Sequence, residues 1–168
     1  MSRKRFAKSA LKKIKLLLLD VDGVMTDGGI YFSEKGDEFK KFNIKDGYGI
    51  VQFQKQGFQV GIVTGRVSEL VQRRAEELGI RHVYQNLSDK LSVYHSLKAK
   101  LRLGDEEIAA MGDDVPDIPI LEVCGFSAAP SDAVEAVKKR VDYVCRRRGG
   151  DGAVREVIDL VMSAHERK

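Results

Sequence analysis

The 168-residue chain contains no tryptophan, two cysteines, three histidines and three prolines. Each scarcity removes a class of function. Cys124 and Cys145 form no CxxC pair and no zinc spacing, so a disulfide framework or structural zinc site is excluded. They are expected to be reduced packing thiols of a cytoplasmic protein. His82, His95 and His165 are scattered and make no HExxH or HxxxH pattern, which removes a histidine metal site or triad. The longest wholly apolar run near the start, Leu16–Leu19, is far short of the ~20 residues of a membrane span and the roughly 7–15 of a secretory signal core. No repeat, low-complexity tract or linker divides the chain, and its length suits one domain.

Charge is present but unevenly placed. The chain has 29 Lys+Arg against 25 Asp+Glu, a formal +4. Residues 1–15 hold seven of those positives and no negative, which leaves residues 16–168 at a net −3. The excess belongs to the start, and no nucleic-acid-binding motif accompanies it, so no nucleic-acid partner is expected. Residues 1–13 read as a flexible basic leader and residues 14–168 as a single domain.

Short apolar runs recur at Ile14–Leu19, Gln59–Val63, Arg81–Tyr84, Ile108–Met111, Gly125–Ala128 and Asp142–Cys145. Their length suits strands buried on both faces. Amphipathic stretches lie between and after them, at Val67–Leu78 (closed by Gly79), Asp89–Leu101, Ala133–Lys139 and Val154–Ala164. The alternation predicts an α/β fold, a Rossmann-like and mostly parallel sheet flanked by helices. Gly28–Phe42 breaks the rhythm: Ile30–Phe32 and Glu38–Phe42 flank a Glu34-Lys35-Gly36-Asp37 turn and predict an inserted β-hairpin.

Ligands of open parallel sheets bind at the carboxyl ends of the strands. Asp20 and Asp22 follow the first strand, Thr64, Gly65 and Arg66 the second, and Gly112, Asp113, Asp114 and Asp117 the fourth, with Lys90 near the start of a helix. Taken singly, each has an ordinary structural use as a helix cap, a turn or a solvated lysine. Together they assemble carboxylates, a hydroxyl and an ammonium. Clustered carboxylates call for a cation, and an all-oxygen set with open positions suits Mg²⁺. A carboxylate beside metal, Lys and Thr suits phosphoryl transfer, with one carboxylate attacking phosphorus and a second moving the proton.

The order DxDGxxTDG (Asp20–Gly28), Thr64-Gly65-Arg66, Lys90 and GDDxxD (Gly112–Asp117) resembles the haloacid dehalogenase superfamily of phosphohydrolases. Phe42–Gly49, Gln85–Lys90 and Gly149–Glu156 are similar to the small 3-deoxy-D-manno-octulosonate 8-phosphate phosphatases, over roughly residues 14–162. The resemblance implies that Asp20 is nucleophile and Mg²⁺ ligand. It implies that Asp22 is general acid/base, contacts the substrate, and binds the metal through its carbonyl. Asp113 is then the third ligand, and Thr64 and Lys90 hold the phosphoryl group. Asp114 and Asp117 orient the site. Asn43, Asp46, Gly47, Arg66 and Arg74 match positions at or near a sugar-acid pocket. The implied activity is hydrolysis of the 8-phosphate through an aspartyl phosphate, in lipopolysaccharide precursor synthesis in the cytoplasm.

Many relatives carry Arg where this chain has Val51, which keeps a nine-carbon sialic-type 9-phosphate as an alternative substrate. The intervals Asp20–Thr64 and Thr64–Lys90 hold no cap domain. The resemblance implies a homotetramer, in which the hairpin joins other subunits and Arg146–Gly152 reaches an adjacent active site. From other classes, a signalling receiver has its acidic pair before the acceptor and its Lys last, the reverse of this order. A catalytically idle oligomerisation module would not need the full set of motifs.

Overall fold

The computed structural model describes residues 8–166. Its elements run α1 (Lys8–Leu11), β1 (Leu16–Leu19), β2 (Tyr31–Phe32), β3 (Glu38–Phe39), α2 (Ile44–Lys55), β4 (Gln59–Val63), α3 (Glu69–Glu77), β5 (His82–Tyr84), α4 (Lys90–Leu101), β6 (Ile108–Met111), α5 (Ile118–Val123), β7 (Phe126–Ala129), α6 (Glu135–Lys138), β8 (Tyr143–Val144) and α7 (Ala153–His165).

β1 is four leucines, each at most 2% exposed. Side chains alternate across a strand. Leu17 and Leu19 therefore enter one core with Ile50, Phe53, Val157 and Val161, and Leu16 and Leu18 enter another with Tyr94, Leu97 and Ile120. Burying each leucine is worth roughly 1.5–3 kcal/mol, so an all-leucine strand belongs at the centre. α1, α2, α3 and α7 contribute to the first core, and α4, α5 and α6 to the second.

The sheet has the order β5-β4-β1-β6-β7-β8 and every pair is parallel. Leu16–Leu19 pairs with Gln59–Ile62 on one side and Ile108–Met111 on the other. The chain first builds outward from β1 to β4 and β5, then crosses back to β6 on the opposite side. That reversal at β1 opens the crevice in which such sheets bind ligands. The expected α/β fold is the observed one.

Some boundaries differ. Leu11 and Ile14 are fully buried, and Leu11 O is bonded by the His165 ring at 3.0 Å, so the folded body begins within the stretch expected to be leader. Residues 1–7 of that leader lie outside the described residues. The hairpin is present but short, pairing Tyr31 with Phe39 and Phe32 with Glu38, while Thr26 bridges to Phe42 at its base. Ile30, Phe32 and Phe39 are more than half exposed, so the hairpin adds no core of its own. Among the described residues, no helix is long and apolar enough to cross a membrane.

Candidate active site

Asp20 is the first residue past β1, and its N–H donates to Met111 O of β6 (3.1 Å), which extends the ladder by one bond. The following Val21–Met25 turn breaks from helical geometry at Asp22 and at Gly23, whose φ is +88°. Thr64 follows β4; its N–H donates to Tyr84 O (3.0 Å) and its carbonyl accepts from Leu87 N (3.3 Å), which fixes the strand end. Lys90 opens α4, where Asp89 caps the helix by accepting from Leu91 N and Ser92 N. Asp113 follows β6. The parallel register thus delivers Asp20, Thr64 and Asp113 from three adjacent strands to one edge.

The centre is crowded and dry. Lys90 Nζ, on a side chain 7% exposed, donates to Asp20 Oδ1 (2.8 Å) and Asp117 Oδ1 (2.6 Å). Asp117 Oδ2 accepts from the N–H groups of Asp113 (3.0 Å) and Asp114 (3.3 Å). Asp117 is therefore committed on both oxygens and braces the loop that carries Asp113. Asp114 turns outward and accepts from Val115 N (2.7 Å). Asp20, Lys90 and Asp117 share with Leu18, Val63, Ile120 and Leu121 the lining of a small cavity of about 10 Å³, room for roughly one water.

Asp20, Asp113 and Asp117 each offer an oxygen within 4.8 Å of the others. Burial, reinforced by the Asp117 charge and only partly offset by Lys90, pushes the Asp20 carboxyl up to about 6. Burial and then the charge of Asp20 push Asp113 up to about 8. Burial alone would lower Lys90, but Asp20 and Asp117 outweigh it and hold the ammonium above its usual range. Among the described residues no ion pair includes Asp113, so the positive charge on hand does not balance the carboxylates. A hard divalent cation fits this all-oxygen set and would relieve the repulsion.

Around this centre the other expected residues separate into two groups. Asp22 points to the mouth, where its carboxylate is paired with Lys40 of the hairpin, whose side chain is 1% exposed. Glu38 bridges Lys40 (3.5 Å) and Arg66 (2.9 Å), so Arg66 is brought to the same mouth. Arg74 lines an adjacent hollow of about 210 Å³ with Phe39, Lys40 and Phe42. Its guanidinium bonds Glu77 (3.2 Å), and its Nε is buried without a partner. Gly47 lies directly against that guanidinium, where any side chain would collide with it.

Asn43 and Asp46 both bond to the backbone of their own chain. Asn43 caps α2, accepting from Lys45 N (2.8 Å), and its amide donates to Gly150 O (3.3 Å). Asp46 is 3% exposed and accepts from Gly152 N (3.2 Å) and Arg155 N (2.7 Å), so its carboxylate secures the start of α7 and faces no open pocket. Within the 146–152 segment Gly149 and Gly150 are buried against the Val21–Asp27 turn of the same chain, while Arg146, Arg147 and Arg148 are exposed. Val51 shares a groove with Gln59 at the start of β4, the end of the strand opposite Thr64, so an Arg at that position would not meet the acidic centre of this chain. Lys40 and Glu38 were not foreseen. Their common face, two residues apart on the hairpin, was the only sequence signal.

The model of haloacid dehalogenase-like hydrolases matches residues 80–158. The 3-deoxy-D-manno-octulosonate 8-phosphate phosphatase of Yersinia pestis is 47% identical over 154 residues, covering 92% of this chain and 82% of its own. Its namesake in Escherichia coli K12 is 47% identical, covering 91% and 81%. The crystal structure of the phosphatase so named from Moraxella catarrhalis, in complex with magnesium, phosphate and KDO, superposes with a TM-score of 0.91 at 39% identity, covering 94% of this chain and 90% of that one. The Yersinia pestis crystal structure gives 0.92 at 46%, covering 94% and 85%. With these relatives sharing the fold, nearly half of the sequence and most of the chain's length, the protein belongs to the haloacid dehalogenase-like hydrolases, in the family of the 3-deoxy-D-manno-octulosonate 8-phosphate phosphatases.

Proposed function

We propose that the protein is a Mg²⁺-dependent phosphomonoesterase that converts 3-deoxy-D-manno-octulosonate 8-phosphate to the free sugar acid and phosphate, in cytoplasmic synthesis of lipopolysaccharide precursors. The observation that carries this is the buried Asp20 carboxylate at the end of β1, between Lys90 and Asp113. Asp20, Asp113 and the Asp22 carbonyl would hold the metal, while Asp117 remains engaged by Lys90 and the Asp113 loop. When bound, the metal neutralises phosphoryl oxygens and the clustered carboxylates.

Asp20 attacks phosphorus in line with the bond to the C8 oxygen. That P–O bond breaks as the new one forms, and Asp22 at the mouth gives a proton to the departing oxygen. Asp22, now a carboxylate, takes a proton from water as the water's oxygen attacks the same phosphorus. The acyl-phosphate bond breaks, and Asp20 is released with inorganic phosphate. Lys90 orients the attacking carboxylate and, with the Thr64 hydroxyl, offers donors to the equatorial oxygens. Arg66, at the mouth beside Glu38, and Arg74, in the adjacent hollow, would pair with the sugar-acid carboxylate. Asn43 and Asp46 hold the starts of α2 and α7.

A site without a cap domain is open to water unless a neighbour covers it. The half-exposed Ile30, Phe32 and Phe39 make the hairpin a surface for other copies, which supports a homotetramer. Light scattering of the wild type and of Phe32→Asp checks it: a tetramer that dissociates in the variant is expected, and an active wild-type monomer would refute it. The substrate is tested by phosphate release with Mg²⁺ over a set of sugar phosphates. The eight-carbon 8-phosphate should give the highest kcat/KM, and preference for the nine-carbon 9-phosphate would overturn the assignment.

A further inference from the structure

We infer that Gly149 and Gly150 are positioning residues, a fixed wedge beneath the nucleophile turn that sets the spacing between Asp22 and Asp113. The inference rests on the phosphatase reading of the same site.

The wedge is anchored from three directions. Asp132 accepts from Gly149 N (3.0 Å) and Arg148 Nε (3.2 Å). Glu156 accepts from the backbone N–H groups of Arg146 (2.9 Å) and Arg147 (3.1 Å). Asp46 holds Gly152 N (3.2 Å) and Arg155 N (2.7 Å). Further bonds tie the wedge to the site, with Gly150 N donating to Val24 O (3.0 Å) and Gly150 O accepting from Asn43 Nδ2 (3.3 Å). A segment rich in glycine is thus immobilised by carboxylates from α2, α7 and the loop after β7.

The contact it makes leaves no room for a side chain. A Cβ on Gly149 would overlap the Gly23 carbonyl oxygen and lie 2.9 Å from Thr26 O. A Cβ on Gly150 would overlap Asp27 N. Gly23 in turn lies against the Asp113 side chain, since a Cβ on it would overlap that carboxylate. The three residues form a stack in which the wedge supports Gly23 and Gly23 abuts Asp113. Close-packed interiors transmit displacement. Pushing Gly23 from below therefore shifts the turn carrying Asp22 relative to Asp113, and a shift of ~1 Å costs on the order of 100-fold in rate.

Gly149→Ala in the full chain with Mg²⁺ is the direct test. The φ of Gly149 lies outside the left-handed region, so alanine there probes space alone. The expected result is kcat down by about 100-fold, KM for the 8-phosphate changed little, and a smaller rise in melting temperature on adding Mg²⁺. The control is Gly57→Ala, at a φ of +92° with nothing within 4 Å, which introduces backbone strain without any steric contact and should leave kcat unchanged. A folded Gly149→Ala with wild-type kcat and wild-type response to Mg²⁺ overturns the inference. Should that variant fail to fold, Asp132→Ala decides: it loosens the wedge without filling space, and a kcat equal to wild type contradicts the inference while roughly a tenfold loss supports it. If the wild type releases no phosphate from the 8-phosphate, the activity reading fails. The Mg²⁺-induced melting shift, compared between wild type and Gly149→Ala, still tests the wedge.

Discussion

The two ends of the same sheet are built on opposite terms. At the carboxyl end, Lys90 is buried against Asp20 and Asp117, and these two buried carboxylates lie with the half-buried Asp113 within 4.8 Å of one another. At the amino end, Val51, Lys55, Phe58, Arg81 and His82 line an open groove of about 510 Å³. The larger hollow carries no convergent chemistry among the described residues: His82 bonds Gln59 (3.0 Å) and feels the charges of Lys100 and Arg81, and Arg81 is exposed. Chemistry at this sheet follows crowded charge, because a buried carboxylate must find a cation, whereas a wet groove imposes no such demand.

Substitutions at the two ends should differ most for Asp20. Asp20→Asn is expected to lower kcat by roughly 10⁴-fold or more with the fold retained. In contrast, Lys55→Ala and Arg81→Ala in the groove should leave kcat unchanged, as phosphate-release assays will show. A groove variant as inactive as Asp20→Asn would break the comparison. Removing metal with EDTA should abolish turnover at the crowded end, and added Mg²⁺ should restore it. Mg²⁺ at about 100 times its dissociation constant should also stabilise the fold by ~2.7 kcal/mol, readable by thermal denaturation.

Lys90→Met sharpens the contrast in metal-free protein. It leaves Asp20 and Asp117 buried without their cation, and loss of one partner of a buried pair costs about 3–5 kcal/mol. Chemical denaturation should register that loss, while Arg81→Ala should stay within about 0.5 kcal/mol of wild type.

The smallest effect is at the amino end, where Lys98 and then Tyr94 bond Asp105 before β6 and hold its carboxyl below the usual range. A depressed folded value means the contribution is present above the unfolded pKa of about 3.9 and lost as pH falls through the folded one. Asp105→Asn should therefore lower the melting temperature slightly at neutral pH, with the difference from wild type shrinking in acid. A difference that grows in acid would contradict the assignment.

Much of the scaffold was legible before any coordinates. Gln59–Val63 and Ile108–Met111 begin and end where the apolar runs do, because central strands need both faces apolar. Strand-end placement alone brought Asp20, Thr64 and Asp113 together. Partnerships between distant backbone segments were not legible. Gly149 under Gly23 and Asp46 on Gly152 depend on how α2 and α7 pack, and no local pattern encodes that. Glycine ordinarily permits mobility, but at Gly149 and Gly150 its lack of a side chain permits close contact with the Val21–Asp27 turn. A hairpin lysine is ordinarily solvated, yet Lys40 is buried and paired with Asp22 and Glu38.

The most direct test is to quench the enzyme during turnover of the 8-phosphate with Mg²⁺, reduce it with borohydride and map the peptides by mass spectrometry. An acyl phosphate on Asp20 is reduced to homoserine, so homoserine at position 20, absent without substrate, is the expected result. Turnover with no modification at Asp20, or with the modification at another carboxylate such as Asp113, would contradict the assignment of Asp20 as nucleophile.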